Sequence, residues 1–201
     1  MGKGDDTRAA ALSEATEIAA RLGLAGLTIG DLATAAGMSK SGLYAHFRSK
    51  EALQLATLAS ARESFNDTVM RPALATPRGE QRVRALFERW ITAARDDWPA
   101  GCLFVSAATE FDDRPGRVRD QLVRDHLDLL DAIAQVFRTG VSEGQFRSDA
   151  DPMQFAQDLN GVMLGFLHAH RLLRDPDAEA RARRAFALLL AGARNLESQA
   201  A

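Results

Sequence analysis

A chain of 201 residues, 46% hydrophobic and 26% charged, has the balance of a globular protein with enough apolar mass for a core. A net charge of −2 argues against general, sequence-blind binding to nucleic acid, and a single cysteine, Cys102, excludes an internal disulfide and a Cys-based zinc site. No apolar run reaches the roughly 20 residues that span a bilayer, and the N-terminal MGKGDDTRAAALSEA lacks the apolar core of a secretory signal, so the expectation is a cytoplasmic protein with no membrane partner.

The chain is rich in Ala, Leu, Arg and Glu, while Pro and Gly fall mainly at a few boundaries, which points to an all-α fold. The first predicted helix runs from about Asp6 to Leu22, with Leu12, Ala15, Ile18, Ala19 and Leu22 on one face, and Gly23 closes it. A short helix follows from Thr28, whose hydroxyl is a good N-cap with Asp31 three residues on, and stops at Gly37. Ser39 caps a third helix, about Lys40 to Phe47. Ser49 caps a fourth, with Leu55, Leu58 and Ala59 on its stripe and an end near Met70, before Pro72.

Beyond the ATPRGE loop, a fifth helix spans about Glu80 to Trp98, striped by Val83, Phe87, Trp90, Ile91 and Ala94. The sixth covers roughly Cys102 to Phe111, and the acidic turn EFDD that ends it reads as a solvated helix end. The seventh runs from about Pro115 to Gly140 on an inner stripe of Leu122, His126, Leu130, Ile133 and Phe137. Asp151 and Pro152 read as N-cap and first turn of an eighth helix to Leu173, and a ninth spans about Ala178 to Leu196. About nine helices and no convincing strand result.

The second and third helices, joined by GMS, form a helix-turn-helix arrangement, whose second helix enters the DNA major groove while the first crosses the backbone. From Met38 to Lys50 there are three bases (Lys40, Arg48, Lys50), His46 and no acid, as a helix facing phosphates requires. Gly42 costs about 1 kcal/mol against alanine in a helix, and its missing side chain lets the backbone approach the bases. Tyr44, the only tyrosine, is placed to reach a phosphate. Thr28 and Ser39 offer phosphate-binding helix N-termini. Lys50 is placed to clamp the flanking backbone, and Lys40, Ser41, Gly42 and Ala45 to read bases.

The stretch LTIGDLATAAGMSKSGLYAHFRSKEAL, Leu27 to Leu53, resembles the DNA-binding domain of tetracycline-repressor-type (TetR family) transcriptional regulators, matching T..DLA..AG.S...LY.HF.SKE.L. By that resemblance Thr28, Ser39, Lys40, Ser41, Gly42, Tyr44, His46 and Lys50 occupy positions that commonly contact DNA. It also implies a homodimer on a palindromic, double-stranded operator, usually a repressor released by a small-molecule effector. Residues 1–50 would then be an N-terminal three-helix DNA-binding domain, and 51–201 a C-terminal helical ligand-binding and dimerisation domain.

The last two helices are the dimerisation candidates, because two pairs across a two-fold axis make a four-helix bundle. The residues concerned are Phe155, Leu159, Val162, Phe166, Ala182, Phe186, Leu189 and Leu190, with Gly161 and Gly165 allowing close helix approach. Pocket candidates are Phe65, Phe87, Trp90, Phe104, Phe111, His126, Phe137, Met163 and Phe166. So few polar groups among them favour an apolar or aromatic effector.

An enzyme reading finds little support. His168 and His170 lie about 200° apart around a helix and cannot share a metal, no Gly-rich phosphate loop follows a strand, and Glu110, Asp112 and Asp113, which could hold a metal, read rather as a solvated acidic turn. Cys102 opens a helix, where the N-terminus would lower its pKa and make it redox-sensitive, against the reading of an inert small hydrophobe. A helical adaptor without a DNA role stays open, and it would show no salt-dependent DNA binding.

Overall fold

The computed structural model describes residues 3–98 and 101–194, the side chains of residues 3–6 excepted. Its elements are α1 (Lys3–Leu22), α2 (Ile29–Ala35), α3 (Lys40–Phe47), α4 (Lys50–Phe65), α5 (Arg71–Leu74), α6 (Glu80–Thr92), α7 (Leu103–Phe111), α8 (Arg117–Ser142), α9 (Pro152–Leu167) and α10 (Ala178–Ala193). π-Helical turns follow α4, α6 and α9. Among the described residues the only β-type pairing is an isolated bridge between Phe146 and Arg194, so the all-α expectation holds. The predicted end of the fourth helix at Met70 does not hold. The π-turn Asn66–Met70 carries the chain into α5, whose first turn contains Pro72. Proline is tolerated there because its absent N–H has no helical acceptor to satisfy.

The residues fall into two compact units, Met1–Phe65 with Ala100–Asp125, and Asn66–Pro99 with His126–Ala201. In the first unit, Leu12, Ala15, Ile18 and Ala19 of α1 are buried with Leu32, Leu43, Phe47, Leu53, Leu58, Leu103 and Leu122. Leu22, expected on the same face, is 72% exposed. The chain turns at Gly23 (φ +91°), so the fully buried Leu24 fills the core instead. In α4 the buried face is Leu53, Gln54, Thr57 and Leu58, whereas Leu55 is only half-buried and Ala59 is exposed. Two polar side chains lie on that face because each has a partner: Gln54 Nε2 donates to the Leu24 carbonyl at 2.8 Å, and Thr57 Oγ1 donates to the Leu53 carbonyl at 2.8 Å.

Asp125, one turn beyond Leu122 on α8, has a side chain only 3% exposed. Its Oδ1 accepts from Arg62 Nη1 at 3.0 Å and Gln121 Nε2 at 2.9 Å, tying α8 to α4. The buried polar group on this part of α8 is thus Asp125, and the neighbouring His126 is half-buried.

In the second unit, Val83, Phe87, Trp90, Ile91 and Ala94 are all buried, as their spacing predicts. Phe87 stacks on Phe186 at 4.0 Å, and Phe137 stacks on both Phe146 (4.5 Å) and Phe155 (4.2 Å). Asp151 caps α9, accepting from Met153 N at 2.8 Å and Gln154 N at 3.3 Å. Charged pairs close the perimeter: Arg194 Nη2 meets Glu80 at 2.6 Å and Arg183 meets Glu88 at 2.6 Å.

Hydrogen bonds from Arg194 hold the Glu80 carboxyl below its ordinary value of 4.5, and Arg183 does the same for Glu179. A carboxylate whose folded pKa is depressed stabilises the fold above its unfolded pKa and stops doing so as pH falls through the folded value. Thermal stability is therefore expected to be flat from pH 7 to about 5 and to fall below about 4.5. A melting series from pH 7 to 3 checks this, and in Glu80→Gln the acid-side decline should be shallower. An identical decline in the two proteins would remove Glu80 from the account.

Candidate nucleic-acid interface

The helix pair α2–α3 is built by its caps. Thr28 Oγ1 accepts from Asp31 N at 3.1 Å and donates to the Asp31 carboxylate at 2.6 Å. The first bond satisfies one of the free N-terminal N–H groups of this seven-residue helix, and the second holds the capping hydroxyl in place. Gly37, at φ +63°, ends α2 in a left-handed conformation that favours glycine. There Met38 N donates to the Ala33 carbonyl at 3.0 Å. Ser39 Oγ then accepts from Gly42 N at 3.1 Å and starts α3.

Leu43 and Phe47 anchor α3 in the first unit's core, and Arg8 of α1 lies over the Phe47 ring at 5.6 Å. This leaves the opposite face of α3 to solvent. Lys40, Ser41, Tyr44, Ala45, His46 and Lys50 are exposed, Tyr44 at 54%, while Thr28 and Gly42 are half-exposed. The space above Gly30 has Thr28 Oγ1 within 3.6 Å and Lys40 Nζ within 3.9 Å, so the start of α2 and the first base of α3 converge there. Gly42 has a local reason to be glycine as well, since a Cβ there would lie 3.0 Å from the Ser39 cap hydroxyl. Seven of the eight residues singled out for DNA therefore lie on the capped, acid-free α3 or beside its ends, and the eighth, Thr28, caps α2.

The remaining expectations fare unevenly. Of the pocket candidates, Phe65, Phe104 and Phe111 belong to the first unit, and Phe87, Trp90, His126, Phe137, Met163 and Phe166 to the second. Phe87 and Phe137 sit in ring stacks, and Phe166 stacks on His170 at 5.2 Å. Of the dimer candidates, Phe155, Leu159, Phe166, Ala182, Phe186 and Leu190 are buried within the chain itself, and Val162 and Leu189 are half-buried. Burial pushes the Cys102 thiol above its ordinary value, opposite to the lowering that a redox-sensitive thiolate needs.

The solvated-turn reading of EFDD fails for Glu110. Its carboxylate accepts from Leu24 N at 3.1 Å and Ala25 N at 2.7 Å, while Asp112 and Asp113 are exposed. Nothing local in the sequence signals a partner 86 residues away.

A short capped helix presented by a glycine turn, with bases and hydroxyls outward and no acid, defines a helix-turn-helix DNA-binding protein. The family model described as "Bacterial regulatory proteins, tetR family" matches residues 11–57, and that of the "Tetracyclin repressor-like, C-terminal domain" matches residues 79–186. The chain belongs to the TetR family of transcriptional regulators. No curated protein matches it.

Solved structures share the fold. A TetR-family regulator from Cytophaga hutchinsonii is 20% identical, with 96% of this chain and 98% of that one covered at a TM-score of 0.83. One from Chloroflexus aurantiacus is 25% identical over 95% and 96%, at 0.82. AibR, solved with isovaleryl coenzyme A and operator DNA, is 22% identical over 92% and 97%, at 0.68. Among the described residues no helix is long and apolar enough to cross a membrane.

Proposed function

We propose that this regulator is a cytoplasmic, non-enzymatic homodimer that binds a palindromic operator and is released from it by a small effector. Residues 1–50 act as the DNA-binding domain and 51–201 as the regulatory and dimerisation part. The observation that carries the reading is α3 itself: an exposed, acid-free helix with Lys40, Ser41 and Tyr44 outward and Lys50 beside its end. Lys40, Ser41 and Gly42 face base edges, while Thr28, Ser39, Tyr44, His46 and Lys50 hold phosphates and fix the register.

The dimer contact is assigned to α9 and α10. Leu164 and Leu188 are 42% and 74% exposed, and a Cβ added at Gly161, Gly165 or Gly192 would meet nothing among the described residues within 4 Å. Such apolar, small-residue faces fit a second pair of helices at short range, with Val162 and Leu189 at the edges. Trp90, His126, Met163 and Phe166 of the second unit are the side chains proposed to meet the effector. Their largely apolar chemistry supports an apolar or aromatic body. A ligand that prefers a spacing of the two recognition helices other than the one that fits DNA, ~34 Å or a multiple, releases the operator.

The test is fluorescence anisotropy on the intergenic DNA beside the gene and on random duplex, titrated across salt. Tight binding to the first, weakened by salt, is the expected result. Equal, feeble binding to every duplex would instead favour a helical interaction module without a DNA role.

A further inference from the structure

The turn between α1 and α2 is held in an unusual way. Both backbone polar groups of Leu24 meet side chains distant in sequence: its N–H donates to Glu110 of α7 at 3.1 Å, and its C=O, which also accepts from Leu27 N at 3.3 Å, accepts from Gln54 of α4 at 2.8 Å. The second carboxylate oxygen of Glu110 takes the next N–H, that of Ala25, at 2.7 Å. One carboxylate thus grips two successive peptides, and hydrogen bonds to an ionised acceptor are about twice as strong as neutral ones. Gly23 completes the fit. A Cβ there would lie 2.8–2.9 Å from all three atoms of the Glu110 carboxyl group, and its φ of +91° already favours glycine.

Leu24 and Leu27 are buried on either side of the gripped peptides, and α2 begins two residues after Leu27. The turn therefore sets where α2 leaves α1, and through the Gly37 turn, where α3 stands. α7 lies inside the region matched by the C-terminal family model, residues 79–186, so the ligand-binding half of the sequence supplies the clamp on a turn of the DNA-binding half.

We propose that Glu110 is a positioning residue for DNA recognition: its carboxylate, carried on α7, locks the Leu24–Ala25 turn and thereby holds the α2–α3 pair in its binding pose. This rests on the DNA-binding reading above. If the lock is lost, the binding-competent pose becomes a fraction of the population, and the apparent Kd rises as the reciprocal of that fraction.

The experiment uses the full-length chain with Glu110→Gln, Glu110→Asp and Glu110→Ala. Gln keeps the length and one acceptor, Asp keeps the charge without the reach, and Ala removes both. Two readouts are taken: amide hydrogen exchange at Leu24 and Ala25, and Kd for the intergenic duplex at a temperature well below each variant's melting point. Faster exchange at both amides is expected in all three, with Kd raised about tenfold in Ala and Asp and less in Gln, the size of one lost charge-assisted bond. Unchanged exchange, or a Kd within about twofold of wild type in Glu110→Ala and Glu110→Gln alike, overturns the proposal. If Glu110→Ala does not fold, Glu110→Gln and the exchange data still decide. Failure of the wild-type chain to prefer its own duplex would strike the DNA-binding reading instead, and the exchange measurement would still judge the lock.

Discussion

Replacing Phe137 with alanine is expected to lower the unfolding free energy by about 3–5 kcal/mol. Phe137 of α8 is fully buried and stacks on Phe146, at 6° between ring planes, and on Phe155 of α9, at 22°. Phe146 and Phe155 are 6.4 Å apart, so the central ring fills the space between elements that the chain brings together from three places. Its removal leaves a cavity walled by two rings fixed on different elements, which limits collapse and puts the cost towards the upper end. The lost stacking adds roughly 0.5–1.5 kcal/mol per pair beyond area burial. Urea denaturation followed by circular dichroism measures the change. A loss below about 1.5 kcal/mol would mean that the site relaxes and that the three rings are not a rigid unit.

Lys40→Ala is expected to weaken operator binding by about 1–3 kcal/mol, roughly 5- to 150-fold, and to relax the preference at one base pair. Lys40 is the first residue of α3, where helix geometry points a side chain into the groove, and its ammonium and the Thr28 hydroxyl both lie within 4 Å of the point where a Gly30 Cβ would stand. Lys50→Ala serves as the contrast. Lys50 opens α4 outside the recognition helix, so its loss should weaken all duplexes alike and reduce the salt slope by about 1. Anisotropy titrations on the operator and on single-base variants separate the two. If both substitutions weaken binding uniformly, Lys40 is a phosphate contact and base reading falls to Ser41, Gly42 and Ala45.

Much of this was legible in the chain itself. Thr28, Ser39, Ser49 and Asp151 cap the helices they were expected to cap, and Gly23 and Gly37 end theirs at positive φ. The capped, exposed and acid-free α3 was equally plain, because its signals are local: a cap, a turn glycine and an absence of acids within fourteen residues. Hydrophobic spacing placed the buried face of α6 correctly, since an apolar stripe needs only to find a core.

What escaped the sequence are polar side chains whose worth depends on where another part of the chain lies. Gln54 and Asp125 look like surface residues, yet both are buried, because a backbone carbonyl meets one and Arg62 with Gln121 the other. Glu110 reads as one acid in a solvated turn and is instead the clamp on Leu24 and Ala25. Leu22 and Leu24 trade places for a similar reason, the core being chosen by the direction the chain takes after Gly23. Helix caps, turns and charge patterns are decided within a few residues and so belong to the sequence. The burial of a polar group is decided by a partner dozens of residues away, and only the tertiary structure supplies it.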